Sequence, residues 1–299
     1  MRIAAISDIH VRPDGSDTAL LQEIRSRVEE IAPDVFVIAG DISDHSRVLS
    51  ESLALLYIDD IPCLYVAGNH DIWFEDETGL SSLKKYSHLI GEICQRNGFI
   101  HLPDQSYLEG DLAFVGSIGW SDYTFRRTDL EIPEEQYETK EHKGAIWYDV
   151  FNIDWEFTDR EATSLFNRKL EYDLSILPDE VTRVVYVSHH LPFRELTVYK
   201  DRLPWDFFSA YMGSTKTGEI LLDDERVILS IAGHSHIRNR IEKEHLTAIT
   251  VPLGYGRPQD NDFTKLAKDA VAEVLVHGRT VETPQFVEGD ICEGLPYVR

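Results

Sequence analysis

The sequence is poor in cysteine, in basic residues and in long apolar runs. Its three cysteines, Cys63, Cys94 and Cys292, are scattered through 299 residues with no C-x-x-C pair. An odd and widely spaced set builds neither a disulfide framework nor a zinc knuckle, and implies reduced thiols in a cytoplasmic compartment. No stretch approaches the roughly 18 consecutive apolar residues that a membrane span requires, and residues 1–10 read as a strand where a secretory leader would carry a basic head and an apolar core. Twenty-nine Lys and Arg stand against 53 Asp and Glu, a formal net charge of −24. Such a field repels polyanions at long range and works against a nucleic-acid polymer as partner, while leaving room for a small anion at a local cation site. Internal repeats, low-complexity tracts and Pro/Gly/Ser linkers are lacking too, so residues 1–299 read as one domain carrying an insertion.

What is present is ordinary globular composition, 42% apolar and 27% charged, in a chain long enough to bury a sizeable core. The apolar run Arg2–Ile6 predicts a strand. Leu20, Leu21, Ile24, Val28 and Ile31 recur at helical spacing over Thr18–Ile31, and Pro33 breaks that helix. Val35–Ala39 is a second buried strand, residues 46–58 a second helix, residues 62–66 a third strand, and residues 80–95 a longer helical stretch. Strands apolar on both faces, alternating with helices, argue for parallel βαβ units. A hairpin follows over residues 107–118, turning at Glu109-Gly110-Asp111.

From residue 119 to about 180 no clean strand is legible. Residues 131–180 hold 14 acidic and 5 basic residues among scattered aromatics, which suggests either a lid that shapes a substrate site or a peripheral helical layer. Within it, residues 158–170 look helical, with Thr158 or Asp159 as cap. Strand character returns at 181–187 and 227–232. The segments 237–241, 246–251 and 270–277 resemble a meander closing a second sheet.

The polar clusters are placed with a regularity that carries the chemistry. Asp8 and His10, Asp41, Asn69 and His70, His189, then His234 and His236 all lie just past the C-terminal ends of predicted buried strands. In an α/β sheet those ends share one edge, where ligands collect. Carboxylates and neutral imidazoles crowded together are unfavourable until divalent cations fill the space between them. By ligand count, one ion could take Asp8, His10, Asp41 and one late His, and a second Asp41, Asn69, His189 and the other late His. A single bridging carboxylate holds two such ions roughly 3.5–4 Å apart.

The same residues resemble the calcineurin-like metallophosphoesterase superfamily, whose pattern D-x-H, G-D-x-x-D, G-N-H-D/E, H and G-H-x-H is matched in order. Here it reads Asp8-Ile9-His10, Gly40-Asp41-Ile42-Ser43-Asp44, Gly68-Asn69-His70-Asp71, Ser188-His189-His190 and Gly233-His234-Ser235-His236. The resemblance implies a four-layer αββα sandwich of two mixed sheets flanked by helices. It places Asp8, His10, Asp41 and His236 on a first metal and Asp41, Asn69, His189 and His234 on a second. His70 is then a catalytic histidine beside the phosphate, oriented by Asp44, and a protonated His70 would stabilise or protonate the leaving oxygen. The reaction implied is hydrolysis of a phosphate ester, a small-molecule phosphodiester or phosphomonoester, through in-line attack by a metal-bound hydroxide. Mixed Asp/Asn/His ligation suits Mn, Fe or Zn in divalent or trivalent form.

Several features read more plainly. His88, His101, His142, His245 and His277 stay structural. Of the adjacent His189 and His190 one coordinates, and strand alternation favours His189. Asp71 either caps the following segment or orients a ligand. Residues 213–218 fail as a phosphate-binding loop because no Lys follows the second Gly, and read as a loop entering a helix over 219–222. Residues 254–258 read as a turn, with Arg257 or Tyr255 at the cleft rim as the alternative. His45 stands where protein Ser/Thr phosphatases of this superfamily carry an Arg, which argues against that substrate class. The net charge argues against a nuclease, and the complete ligand set argues against a non-catalytic scaffold. The acidic insertion would set specificity, stacking a base on Trp147 or Trp155.

Overall fold

The computed structural model describes residues 1–75, 78–258, 260, 262–286 and 292–293. Strand β1 (Arg2–Ile6), a helix over Thr18–Ile31, β2 (Val35–Ala39), a helix over Ser46–Leu56 and β3 (Cys63–Val66) succeed one another as the sequence predicts. The first helix stops where Ala32 turns left-handed, φ 48°, and its N–H closes on the carbonyls of Val28 and Glu29. Pro33 then cannot extend it. The stretch expected over 80–95 is broken into Ser82–Lys84, a π turn over Lys85–Leu89 and Ile90–Arg96, and it leads into β4 (Phe99–His101), too short a strand to show in the apolar pattern.

The hairpin β5 (Tyr107–Glu109) and β6 (Leu112–Ser117) follows. The insertion contains one small hairpin after all, β7 (Glu141–His142) with β8 (Ala145–Ile146); two residues per strand leave no alternation to read. Its long helix, Asp159–Ser175, is fixed at the start by reciprocal bonds between Thr158 and Glu161. The chain then forms β9 (Arg183–Ser188), β10 (Val227–Ala232), β11 (Ile237–Lys243), β12 (Leu246–Thr250), β13 (Ala272–His277), β14 (Thr280–Glu282) and β15 (Cys292–Glu293). The helix expected over 219–222 begins earlier, as Thr215–Asp223, with Ser214 capping it through the Lys216 N–H. The segment read as a loop is thus partly that helix's first turn.

Two mixed sheets result, in the orders β14-β13-β1-β2-β3-β4 and β15-β11-β12-β10-β9-β6-β5. Strand β13 pairs antiparallel with β1, in the first sheet, so the expected meander of 237–277 is divided between the sheets. A helix over Phe263–Ala270 carries the chain across, packing Ala267 and Ala270 into the cluster of Leu20, Ile24 and Val28.

Period-two alternation decides the layering. Ile3, Ala5, Val35, Val37, Leu64 and Val66 face inward and meet Phe114, Val185, Val187, Leu229, Ile231 and Ile249 of the opposite sheet. Their neighbours Ala4, Ile6, Phe36, Ile38 and Tyr65 face outward onto the Thr18–Ile31 and Ser46–Leu56 helices. On the far side Ala113, Val115, Val184 and Tyr186 pack against Leu170, Leu174, Ile220 and Leu221. The result is a four-layer αββα sandwich. Among the described residues no helix is long and apolar enough to cross a membrane.

Candidate functional site

The sheets meet where their C-terminal strand ends converge. Past β1 the chain pairs with the segment past β12: the Ser7 N–H donates to the Val251 carbonyl at 2.8 Å and the Gly254 N–H to the Asp8 carbonyl at 2.9 Å. This seam gathers Asp8, His10, Asp41, Asn69, His70, His189, His234 and His236 at one edge. Five of them, Asp8, His10, Asp41, His234 and His236, have φ between 47° and 69°. That left-handed conformation is unfavourable for residues with a Cβ and persists only where the surroundings over-determine it, as at functional sites. Glycine precedes Asp41 and Asn69 for a steric reason. A Cβ on Gly40, φ 86°, would sit 2.6 Å from the Gly68 nitrogen and 2.7 Å from His189 Nδ1, and one on Gly68 would overlap Asp41 Oδ1.

Asp8, His10, Asp41 and His236 bring donor atoms within 4.8 Å of one another, and Asp41, His189 and His234 do the same. Asp41 belongs to both groups. Its Oδ2 lies 3.6 Å from His10 Nε2 and 3.3 Å from His189 Nε2. In the first group His236 Nε2 is 3.3 Å from Asp8 Oδ1 and 3.1 Å from His10 Nε2. In the second, His189 Nε2 is 3.1 Å from His234 Nδ1 and 3.2 Å from Asn69 Oδ1. His190 is turned away, its Nδ1 on the Ile118 carbonyl at 3.2 Å.

The electrostatics suit cations. Burial, together with neighbouring histidines, pushes His10, His190 and His234 well below the usual imidazole range. They are neutral at pH 7 and keep a lone pair. Burial also raises Asp41, to about 6. Although burial works against charge on His189, Asp41 raises that ring to about 9. Asp8 stays depressed despite its burial, chiefly through His236.

Backbone carbonyls choose the tautomers. His189 Nδ1 faces the Ala39 carbonyl at 2.9 Å and donates its proton there, which leaves Nε2 as the nitrogen turned to the cluster. His234 is reversed: Nε2 faces the Tyr211 carbonyl at 3.2 Å, leaving Nδ1 for the cluster. Asp71 is a buried hub. Its carboxylate accepts from the N–H groups of Gly68, Asp41, Ile42 and Ser43 at 2.7–3.0 Å and from the Tyr65 hydroxyl at 2.7 Å. It ties the loops after β2 and β3 together, the orienting alternative of the two the sequence left open.

Around His70 the structure departs from expectation. Its Nε2 meets the Tyr255 hydroxyl at 3.1 Å, and its ring stacks on Trp73 with centroids 3.8 Å apart. Asp44, expected to orient it, is not among the hydrogen-bond partners of His70 in the described residues; its carboxylate is 44% exposed and lies 4.0 Å from His45 Nε2. Burial, with His236 and His189 nearby, pushes His70 down to about 3. The ring is therefore neutral at pH 7.

For Tyr255 the structure favours the cleft-rim alternative over the plain turn: it lines the cavity and stacks on His10 at 3.9 Å. The signal existed, since residues 254–256 follow a buried strand end as the donor-bearing clusters do. Arg257 anchors that loop. Its guanidinium donates to the carbonyls of Ile9 and Gly256 at 2.8 and 3.0 Å and to Asp17 Oδ1 at 2.8 Å. Burial opposes the Asp17 charge, but Arg12 and Arg257 hold it down at about 2, against an ordinary 3.8. A depressed carboxylate stabilises the fold fully above its unfolded pKa and loses that contribution as pH falls through its folded one. Asp17→Asn is accordingly expected to cost about 1–2 kcal/mol at pH 7, allowing for partial screening. In urea unfolding the gap to the parent narrows as the pH falls from 4 toward 2.

A cavity of about 360 Å³ opens onto Asp41, Asn69, His70, His234 and His236. Trp147, Val198, Trp205, Phe208, Met212 and Ile237 make its apolar wall, with Trp147 stacked on Tyr211 at 5.2 Å and an interplanar angle of 10°. Of the two tryptophans expected to contact substrate, only Trp147 lines it. Trp155 packs edge-on against Trp120 within the hydrophobic core. The insertion also supplies Asp149, which no motif announces: this buried carboxylate accepts from Asn69 Nδ2 at 2.9 Å.

A two-sheet sandwich with carboxylate, amide and imidazole donors converging at its seam defines a phosphoesterase fold, and the family model described as calcineurin-like phosphoesterase matches residues 1–238. The chain belongs to that family, and it is a metal-dependent phosphoesterase of a family that works through a dinuclear centre. Among curated relatives it is 23% identical over 266 residues to the [acyl-carrier-protein] phosphodiesterase PptH of Mycobacterium tuberculosis, covering 85% of this chain and 78% of that protein. The crystal structure of that phosphopantetheinyl hydrolase superposes with a TM-score of 0.68 at 19% identity, over 96% of this chain and 98% of the other. A dimetal phosphatase from Danio rerio superposes with a TM-score of 0.58 at 16% identity, over 95% and 98%.

Proposed function

We propose that the protein hydrolyses a phosphodiester at a dinuclear centre held by Asp8, His10, Asp41 and His236 on one side and Asp41, Asn69, His189 and His234 on the other. The observation that carries this reading is the sharing of Asp41 between two clusters of carboxylate and imidazole donors beside an apolar cavity. When bound, two cations supply Lewis acidity to the phosphoryl oxygens and acidify a water molecule. The chain's own residues do the rest. The carbonyls of Ala39 and Tyr211 fix which imidazole nitrogen faces the centre, and Asp71 holds the two loops in register. His70, neutral and braced by Trp73 and Tyr255, is placed to donate a hydrogen bond to an oxygen of the ester. Asp44 stands outside that bracing.

A diester is favoured over a monoester by the lining of the cavity. Among its described lining residues there is no Lys or Arg to balance a second phosphate charge, whereas six apolar side chains are available to cover a second ester arm. The net charge of −24 speaks against a polymeric nucleic acid. The substrate is then a small-molecule diester, or a diester arm presented by a carrier protein as with the mycobacterial relative. The buried free thiols Cys63 and Cys94 accord with a cytoplasmic setting and Cys292 lies outside the residues whose side chains are described. Residues 1–299 act here as one domain, with the insertion walling the site.

Metal-stripped protein given Mn²⁺, Fe²⁺ or Zn²⁺ is expected to hydrolyse bis-p-nitrophenyl phosphate faster than p-nitrophenyl phosphate, and to be inactive without metal. A monoester preference under every metal overturns the diester reading. Release of phosphopantetheine from a carrier protein, compared with hydrolysis of a free alkyl diester, separates the two substrate sources.

A further inference from the structure

Asparagine is an ambiguous metal ligand. Its two amide ends are nearly isosteric, yet only Oδ1 has lone pairs for a cation, so a half-turn of the amide would aim two N–H donors at the centre. Asn69 is 2% exposed, and water cannot decide the matter. What faces its Nδ2 is Asp149 Oδ1, at 2.9 Å. An ionised carboxylate only accepts, so it selects the orientation in which Nδ2 points to it and Oδ1 points toward His189 Nε2, 3.2 Å away.

Asp149 is itself held in place by the insertion and the β3 loop. Trp73 Nε1 donates to Oδ1 at 2.8 Å and Trp147 Nε1 to Oδ2 at 2.9 Å. Both carboxylate oxygens are thereby satisfied in a buried position, 3% exposed. Trp147 at the same time lines the cavity.

We infer that Asp149 is a positioning residue that locks the Asn69 amide with its oxygen toward the second cation, so that the insertion completes that half of the centre. The inference rests on the assignment of Asn69 to the second cation. In the metal-free sequence pattern Asn69 looks self-sufficient; in the fold its orientation is decided by a residue eighty positions away.

The test is metal binding, which does not depend on the choice of substrate. Apo-protein is titrated with Mn²⁺, free Mn²⁺ being followed by electron paramagnetic resonance, for the parent and Asp149→Asn. The variant keeps the size of the side chain but can turn an NH₂ toward Asn69. The first Mn²⁺ is expected to bind with parental affinity and the second roughly 10–100-fold more weakly, with the circular dichroism spectrum unchanged. Equal affinities in parent and variant overturn the inference, as does weakening of both ions together, which would mark a general structural role. If Asp149→Asn does not fold, Trp147→Phe is measured instead. It removes one of the three donors to Asp149, and a smaller weakening confined to the second ion is expected; parental binding of both ions overturns the inference. Should the protein prove inactive on every diester while the second ion is selectively weakened, the proposed function fails and the role of Asp149 stands.

Discussion

Asp41→Asn is expected to reduce turnover of bis-p-nitrophenyl phosphate by about a thousandfold or more. In the proposed centre Asp41 is the one side chain common to both cations, its Oδ2 facing His10 and His189 at 3.6 and 3.3 Å. An amide of the same size cannot bridge two cations with a full negative charge. Losing even about 4 kcal/mol of the Lewis-acid contribution corresponds to three powers of ten in rate. Asp41 Oδ1 also accepts the His70 N–H at 2.9 Å, a bond the amide oxygen can preserve, so the backbone geometry is retained. Metal analysis of the purified variant should accordingly show fewer than two ions per chain. Parental turnover with two ions bound would remove Asp41 from the role of bridge.

His70→Ala is expected to lower kcat by about 10²–10³-fold, the usual cost of removing one pre-placed donor to developing negative charge. The loss should be larger for an alkyl diester than for bis-p-nitrophenyl phosphate, whose leaving group carries its charge without help. Tyr255→Phe, which leaves the His70 ring in place but frees its Nε2, should produce a smaller loss in the same direction. Because burial and the nearby His236 and His189 push His70 down to about 3, the ring stays neutral throughout pH 5–8. The kcat profile should therefore show no limb that His70→Ala abolishes in that range. A limb near neutrality that disappears in the variant would restore His70 as a proton donor.

Much of the molecule was legible because its early elements obey simple periodicities. The first two helices and the first three strands are each long enough, and apolar enough on the right faces, to be read from spacing alone. The short elements were not. Strand β4 has three residues and β7 and β8 two each, fewer than a period-two pattern needs. Strand β13 looked like its neighbours in sequence and pairs with β1 because the Phe263–Ala270 helix carries the chain to the other sheet. That change of sheet is a long-range event with no local signature.

The chemistry divides in the same way. Donor-bearing side chains just past buried strand ends are a local feature, so Asp8, Asp41, Asn69, His189, His234 and His236 could be singled out without a structure. Which nitrogen of each imidazole faces the cluster, which neighbour braces His70 and what holds the Asn69 amide depend on carbonyls, a tyrosine hydroxyl and a carboxylate brought from distant segments. Hydrogen-bond direction is set by the partner across space, and no spacing along the chain encodes it.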